Sequence, residues 1–269
     1  MRSVLWAGLT LECLAALGCT SPAQTTDLQT AETSAATADV WPTLSPRRQT
    51  DPVVERQIDA LLEQLSVEEK VGQLIQADIN SIEPADVRID ASAWLNLADE
   101  FYAAANARNA GTYIPLIWGT DAVHGHNNVV GATIFPHNIG LGAAGDPDLL
   151  QRIGEVTALE TVVTGQDWSF APTLAVARND RWGRTYESFS EDPTIVAAYA
   201  GRIVEGLQGP PNAPERLRNG RVLSSAKHFL GDGGTTAGID QGDTVSNEAE
   251  LARVHGAGTA KSYTVTATF

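Results

Sequence analysis

Lys227 and His228 stand side by side in VLSSAKHFLGDGGTT, at the end of an apolar run and just before the turn Gly231-Asp232-Gly233-Gly234. Lysine is scarce in this chain: Lys70, Lys227 and Lys261 are the only three. Two other segments close in the same way. IPLIWGTDAVHGHNN is apolar from Ile114 to Trp118, turns at Gly119 and reaches Asp121, His124 and His126. DWSFAPTLAVARNDRWGRTYESFSEDP is apolar from Phe170 to Val176 and reaches Arg178, Asp180, Arg181, Trp182 and Arg184. Asp121, Arg184, Lys227 and His228 thus offer a carboxylate, a guanidinium, an ammonium and an imidazole. Such groups hold hydroxyls well, because hydrogen bonds to charged partners are short and strong. Each also has a purely structural reading. Asp121 could cap a helix, Arg184 could pair with Glu187 or Glu191, and Lys227 and His228 could be a strand end and a surface cap.

Convergence of these groups requires elements that deliver them to one place. Apolar β-type runs alternating with helical patterning imply parallel strands joined by crossover helices. In an α/β barrel, polar groups at strand ends share one face. The predicted strands are Ile114–Trp118, Phe170–Val176 and the apolar run that ends at Lys227. Helices are predicted between them. Val54, Ile58, Leu61 and Leu62 give Val53–Leu65 a helical stripe, and Ser66-Val67-Glu68-Glu69 is a capping box opening a helix through Gln76. Ala93–Asn106 carries Trp94, Leu97, Ala98, Phe101 and Ala105 on one side. Further helices are expected from Asp146-Pro147 to Val163, from Pro193 to Leu207, and from an Asn247 cap through His255.

Three motifs, GTDAVHGHNNVVGATIFPHNIGLGA, RWGRTYESFSEDP and AKHFLGDGG, occur in this order. On them the chain resembles the N-terminal barrel domain of the family 3 glycoside hydrolases, from about Leu65 to about Gly256. Within that family it is most similar to the exo-acting β-glucosidases and β-glucan glucohydrolases. The resemblance implies an α/β fold, a (β/α)8 TIM-barrel-like domain that is incomplete here. It implies a glycoside hydrolase that releases β-glucose from the non-reducing ends of β-glucans or cello-oligosaccharides with retention of configuration. It implies that Asp121, Arg184, Lys227 and His228 bind the non-reducing glucosyl unit, with no cofactor and no metal.

The chain also departs from the family pattern. Retaining hydrolysis needs a carboxylate nucleophile and a carboxylic acid flanking the bond. In the family the nucleophile is an Asp on a later barrel strand, commonly followed by Trp, and the acid of two-domain members comes from a second domain. The only Asp-Trp here, Asp167-Trp168, precedes the RWGR motif. The family nucleophile is therefore expected beyond the end of this chain, no catalytic residue is assigned, and the 269 residues are expected to be truncated and inactive. The ending GTAKSYTVTATF does not resemble the family continuation. Between Gln76 and Ala93, ADINSIEPADVRID stands where the family has a strand and a Gly-rich loop. A barrel segment shortened there would leave open edges. Two alternatives follow. One is a non-catalytic glucose- or β-glucan-binding fragment. The other is the β-N-acetylglucosaminidase branch of the family, which uses an Asp-x-His-type dyad after the Lys-His strand. The loop GDGGTTAGIDQGDT contains no His and disfavours it.

His124, Asn127, Asn128, His137 and Asn138 read as hydrogen-bonding loop residues. A metal at His124-x-His126 would need a third ligand, and no acidic partner spacing supplies one. The glycines at 231, 233 and 234 lack the spacing of a nucleotide-binding loop. A net charge of -15 argues against nucleic acid and anionic membrane surfaces and suits a neutral ligand such as a sugar. Residues 1–23 read as a signal peptide or lipoprotein leader: Arg2, a mostly apolar stretch from Val4 to Leu17, then Ser21-Pro22-Ala23. Ala16-Leu17-Gly18-Cys19 is an imperfect lipoprotein box that offers Cys19 for a lipid anchor. Both cysteines, Cys13 and Cys19, lie in this leader. Residues 24–52 read as a flexible Thr/Ala/Ser-rich tether and 53–269 as the partial barrel domain. No membrane span is expected. The location expected is secreted or periplasmic, with an outer-membrane lipoprotein as the variant.

Overall fold

Two prolines decide where the β-ladder forms. Pro115 and Pro172 sit inside the predicted strands Ile114–Trp118 and Phe170–Val176, and proline has no N–H to give a ladder. In the computed structural model, which describes residues 40, 41, 51–76, 91–108 and 114–266, pairing falls just beside them. Among the described residues the sheet has three parallel strands in the order β1-β2-β3: β1 Gly119–Thr120, β2 Trp168–Ser169 and β3 Leu223–Ser224. Gly119 is level with Trp168 and Leu223, and Thr120 with Ser169 and Ser224. The first two predicted runs therefore flank the ladder, whereas β3 falls inside the predicted run that ends at Lys227. Pairing resumes beyond Pro172, where Thr173 bridges to Lys227. The leader, Cys19, nearly all of the tether and the stretch ADINSIEPADVRID lie outside the described residues.

The helices follow their start signals. Asp51 caps α1, Pro52–Gln64, and Ser66 with Glu69 forms the capping box of α2, Val67–Gly72. The helix α3 spans Ala91–Arg108. Asp146 caps α5, Pro147–Val162, and Asp192 caps α6, Pro193–Gln208; both carry Pro in the first turn, where its missing N–H costs nothing. Two extents differ from expectation. The helix α2 stops at Gly72 rather than Gln76, where a residue of low helix propensity falls. Asn247 caps only a short α7, Glu248–Glu250, which runs through a π turn, Leu251–Gly256, into α8, Ala257–Thr266. The last helix thus passes well beyond His255. Another helix, α4, Asn138–Ala144, has no counterpart in the sequence reading, since Gly140 and Gly142 weaken its pattern.

The core lies between sheet, α5 and α6. Leu150, Ile153 and Ala158 of α5 meet Val196, Tyr199, Ala200, Ile203, Val204 and Leu207 of α6, with Leu174, Val176, Val222 and Val254 closing the cluster. The two helices touch backbone to backbone: a Cβ on Gly206 would lie 2.3 Å from Gln151 O. At Gly142 the approach is tighter still, and a Cβ would lie 1.8 Å from Phe189 O. That contact seats α4 on the loop that follows Arg184. No helix among the described residues is long and apolar enough to cross a membrane.

Candidate functional site

Lys227 is fixed by its backbone before its side chain does anything. Its N–H donates to Pro172 O at 2.8 Å, and its carbonyl accepts from Leu174 N–H at 2.6 Å. The end of the third strand run is thus tied to the segment leaving β2. From there the ammonium reaches Asp121 Oδ1 at 2.5 Å, across 106 residues of sequence. Asp121 follows β1 directly, and it pairs with a cation instead of capping a helix. Its loop is braced by Asn128, whose amide donates to Thr120 Oγ1 at 2.9 Å and to Asp121 O at 3.4 Å.

Arg184 arrives from the loop after β2. It stands just before a 3-10 turn, Thr185–Glu187, which folds Glu187 back onto it. Nε and Nη2 of Arg184 donate to the two carboxylate oxygens of Glu187 at 2.7 and 2.8 Å. Glu191 is not the partner; its backbone oxygen accepts from Arg178. Such a two-point pairing fixes the plane of the guanidinium as well as its charge. Thr173, wholly buried, donates from Oγ1 to Glu187 Oε2 at 3.2 Å. The anchor of Arg184 is therefore held by the residue that bridges to Lys227. Trp182, buried in the same loop, donates from Nε1 to Asp240 Oδ1 at 2.9 Å.

His228 completes the arrangement. Its Nε2 lies 3.4 Å from Arg184 Nη2. Its Nδ1 lies 2.7 Å from Asp232 Oδ2, a close contact without the alignment of a hydrogen bond. Asp232 Oδ2 is also 3.9 Å from Arg184 Nη1. The structure thus brings all four predicted residues into one cluster: Asp121 against Lys227, and Arg184 against His228, with Thr173 and Glu187 between the pairs. Sequence reading singles out neither Asp232 nor Thr173 as a partner of these groups, and it offers Glu187 only as a rival for Arg184. The available signals are spacing alone: Glu187 is three residues after Arg184, and Asp232 four after His228.

The charges are tuned by this contact chain. The hydrogen bond to Glu187 raises the pKa of Arg184 above its ordinary value. For Glu187, burial favours the neutral form, but the bonds and charge of Arg184, with help from Thr173 and Lys227, outweigh it. Its carboxyl is held below the usual range. Each carboxylate in the cluster faces a basic group: Asp121 faces Lys227, Glu187 faces Arg184, and Asp232 faces His228 and Arg184.

The remaining loop histidines take separate partners. Nδ1 of His124 lies 3.0 Å from Phe135 O, and Nε2 of buried His126 lies 3.0 Å from Thr164 Oγ1. His137 lies between His124, tilted against it at 4.1 Å, and Tyr186, edge-to-face at 4.6 Å between ring centres. Burial, then the neighbouring His124, lowers the His137 pKa. Asn138 donates to Glu187 O at 2.7 Å. No three His, Cys, Asp or Glu side chains among the described residues are grouped as metal ligands.

Residues 53–261 match the family model described as the glycosyl hydrolase family 3 N terminal domain. The chain belongs to glycosyl hydrolase family 3. Its fold is the α/β, TIM-barrel-like architecture of that domain, represented by three strands among the described residues. One relative, the lysosomal beta glucosidase of Dictyostelium discoideum, is 29% identical over 225 residues, which cover 68% of this chain and 27% of the relative. The periplasmic beta-glucosidase of Salmonella typhimurium is 28% identical, over 66% of this chain and 23% of its own. Among solved structures, the exo-1,3/1,4-beta-glucanase from a Pseudoalteromonas species superposes with a TM-score of 0.77 at 46% identity, over 84% of this chain and 31% of that one. The chain thus spans between about a quarter and a third of the length of these relatives.

Proposed function

We propose that Asp121, Arg184, Lys227 and His228 grip the terminal, non-reducing glucosyl unit of a β-glucoside or β-glucan. The observation that carries this reading is the cluster itself, in which charged donors and acceptors alternate at the ends of parallel strands. One donor of the Lys227 ammonium goes to Asp121, which leaves others for sugar hydroxyls. The Lys227 and Arg184 charges are each paired with a carboxylate, which suits a neutral polyhydroxyl ligand.

The reaction we assign to the whole enzyme is hydrolysis of the O-glycosidic bond with release of β-glucose and retention of configuration. The names of the Dictyostelium, Salmonella and Pseudoalteromonas relatives support that substrate class. Retention needs two carboxyl groups about 5–5.5 Å apart, one of them free to attack carbon. Each carboxylate of this cluster is instead turned to a basic group. Our reading is therefore that the 269 residues by themselves bind sugar without hydrolysing it. Export to the periplasm or beyond, with residues 1–23 as leader and Cys19 as a lipid site, belongs to the same proposal; the periplasmic location named for the Salmonella relative supports it.

Titration calorimetry with glucose and turnover of a chromogenic β-glucoside test both parts. Measurable glucose binding with no turnover above background is expected for residues 24–269. Clear turnover, with contaminating glucosidase excluded, would place the nucleophile within this chain. Asp232, Asp240 and Asp243 would then be the first positions to substitute.

A further inference from the structure

The guanidinium of Arg184 could rotate about several bonds, yet three contacts hold it in one plane. Two are the bonds to the Glu187 oxygens at 2.7 and 2.8 Å, and the third is the Thr173 hydroxyl, which fixes the Glu187 carboxylate at 3.2 Å. Asn138 holds the backbone of the same residue through Glu187 O at 2.7 Å. The Glu187 side chain keeps 12% of its surface exposed and Arg184 keeps 24%, so the carboxylate lies behind the guanidinium and is the less accessible of the two.

We propose that Glu187 is a positioning residue for sugar recognition: it acts through Arg184, by presenting the remaining guanidinium edge toward His228 and Asp232. This rests on the reading of the cluster as a sugar grip. A glutamine at 187 keeps the shape but can accept through one oxygen only. Arg184 then loses one arm of its clamp and its charge partner, and the angular order of its free N–H groups is lost with them. A residue merely filling space would not care about this change.

Glucose affinity, measured by calorimetry on the full chain, separates the alternatives. Glu187→Gln should weaken binding about tenfold, in the range for a hydrogen bond to a charged group. Arg184→Ala should weaken it at least as much, and adding Glu187→Gln to Arg184→Ala should change nothing further, because the residue through which Glu187 acts is gone. Multiplying losses in the double variant would show that Glu187 acts independently and would overturn the proposal. So would wild-type affinity in Glu187→Gln. If that variant does not hold its fold, Thr173→Val carries the test. It leaves the ion pair but removes the hydroxyl that steadies Glu187 Oε2, and a several-fold loss seen only when Arg184 is present is expected. A chain that binds no glucose at all sinks the sugar-grip reading and this inference with it. A chain that binds glucose with full affinity in Glu187→Gln and Thr173→Val sinks the positioning role alone.

Discussion

The helices α1 and α5 begin alike and end differently. Each opens with Asp as N-cap and Pro in the first turn, and each carries apolar residues at helical spacing. In α5 the stripe is buried: Leu150 and Ile153 are 2% and 5% exposed against α6. In α1 no residue is buried, and Val54, Ile58 and Leu62 remain 43–45% exposed. The contrast separates two things that a sequence pattern runs together. Caps and periodicity specify a helix, whereas burial needs a partner surface, and α5 has one in the Gly154 and Gly206 contact with α6. The strand-end cluster is built on the packed side of this divide, through buried Thr173 and Trp182, although Asp121 itself is exposed.

Truncation of buried side chains is the harshest way to test the contrast. Leu207→Ala, at a residue with no exposed surface, should cost about 2–5 kcal/mol in urea unfolding. Leu62→Ala, chemically the same change on α1, should stay within about 0.5 kcal/mol. Equal losses would mean that α1 is as integral to the fold as α6.

Next comes the site carried by the buried region. Lys227→Ala and Asp121→Ala should each weaken glucose binding by about 1.5–3 kcal/mol, with the unfolding midpoint read alongside. Unchanged affinity would make the pair a structural tie. The caps give a smaller effect. Asp146→Ala, which removes the bond to Leu149 N–H, should lower global stability by about 1 kcal/mol. Asp51→Ala, which removes the equivalent bond to Val53 N–H, should leave the global transition within about 0.5 kcal/mol.

The smallest effect is a pH dependence. Glu187 has its folded pKa below the ordinary glutamate value. It therefore contributes stability at pH above that ordinary value, and the contribution is lost as pH falls through the lower, folded value. Glu187→Gln should flatten the acid limb of a plot of unfolding midpoint against pH. An unchanged acid limb would mean that the Arg184 pair adds nothing to folding.

What can be read from sequence is local. The caps at Ser66, Asp146 and Asn247 announce themselves within four residues, and so do the glycine turns after each strand-like run. The meeting of Asp121, Arg184, Lys227 and His228 is legible only through family resemblance, since the Lys227 contact with Asp121 spans 106 residues. Sequence does not choose between Glu187 and Glu191 for Arg184, because either carboxylate is within reach of a long side chain. Two of the ladder strands, β1 and β2, fall outside their predicted runs because apolar β-type composition continues through Pro115 and Pro172, which have no N–H to donate, while β3 falls within its run. The π turn leaves no signal in the side-chain pattern. It is defined by which carbonyl each N–H selects, and the composition of Leu251–Gly256 does not encode that choice.

Gly142 carries a consequence for how this chain can vary. Its α-hydrogen side faces Phe189 O at a distance that leaves no room for a carbon. Every other amino acid begins with that carbon, so no small step leads away from glycine there. A scan of all substitutions should therefore show an island of intolerance on α4, outside the charged cluster yet as strict as the cluster itself. The loop that Gly142 supports is the one that bears Glu187, so variants recovered at this position in a selection for sugar binding should carry a second change near Phe189. Drift would be expected to spare the position in any lineage that still uses the loop, even where the surrounding surface has been rewritten.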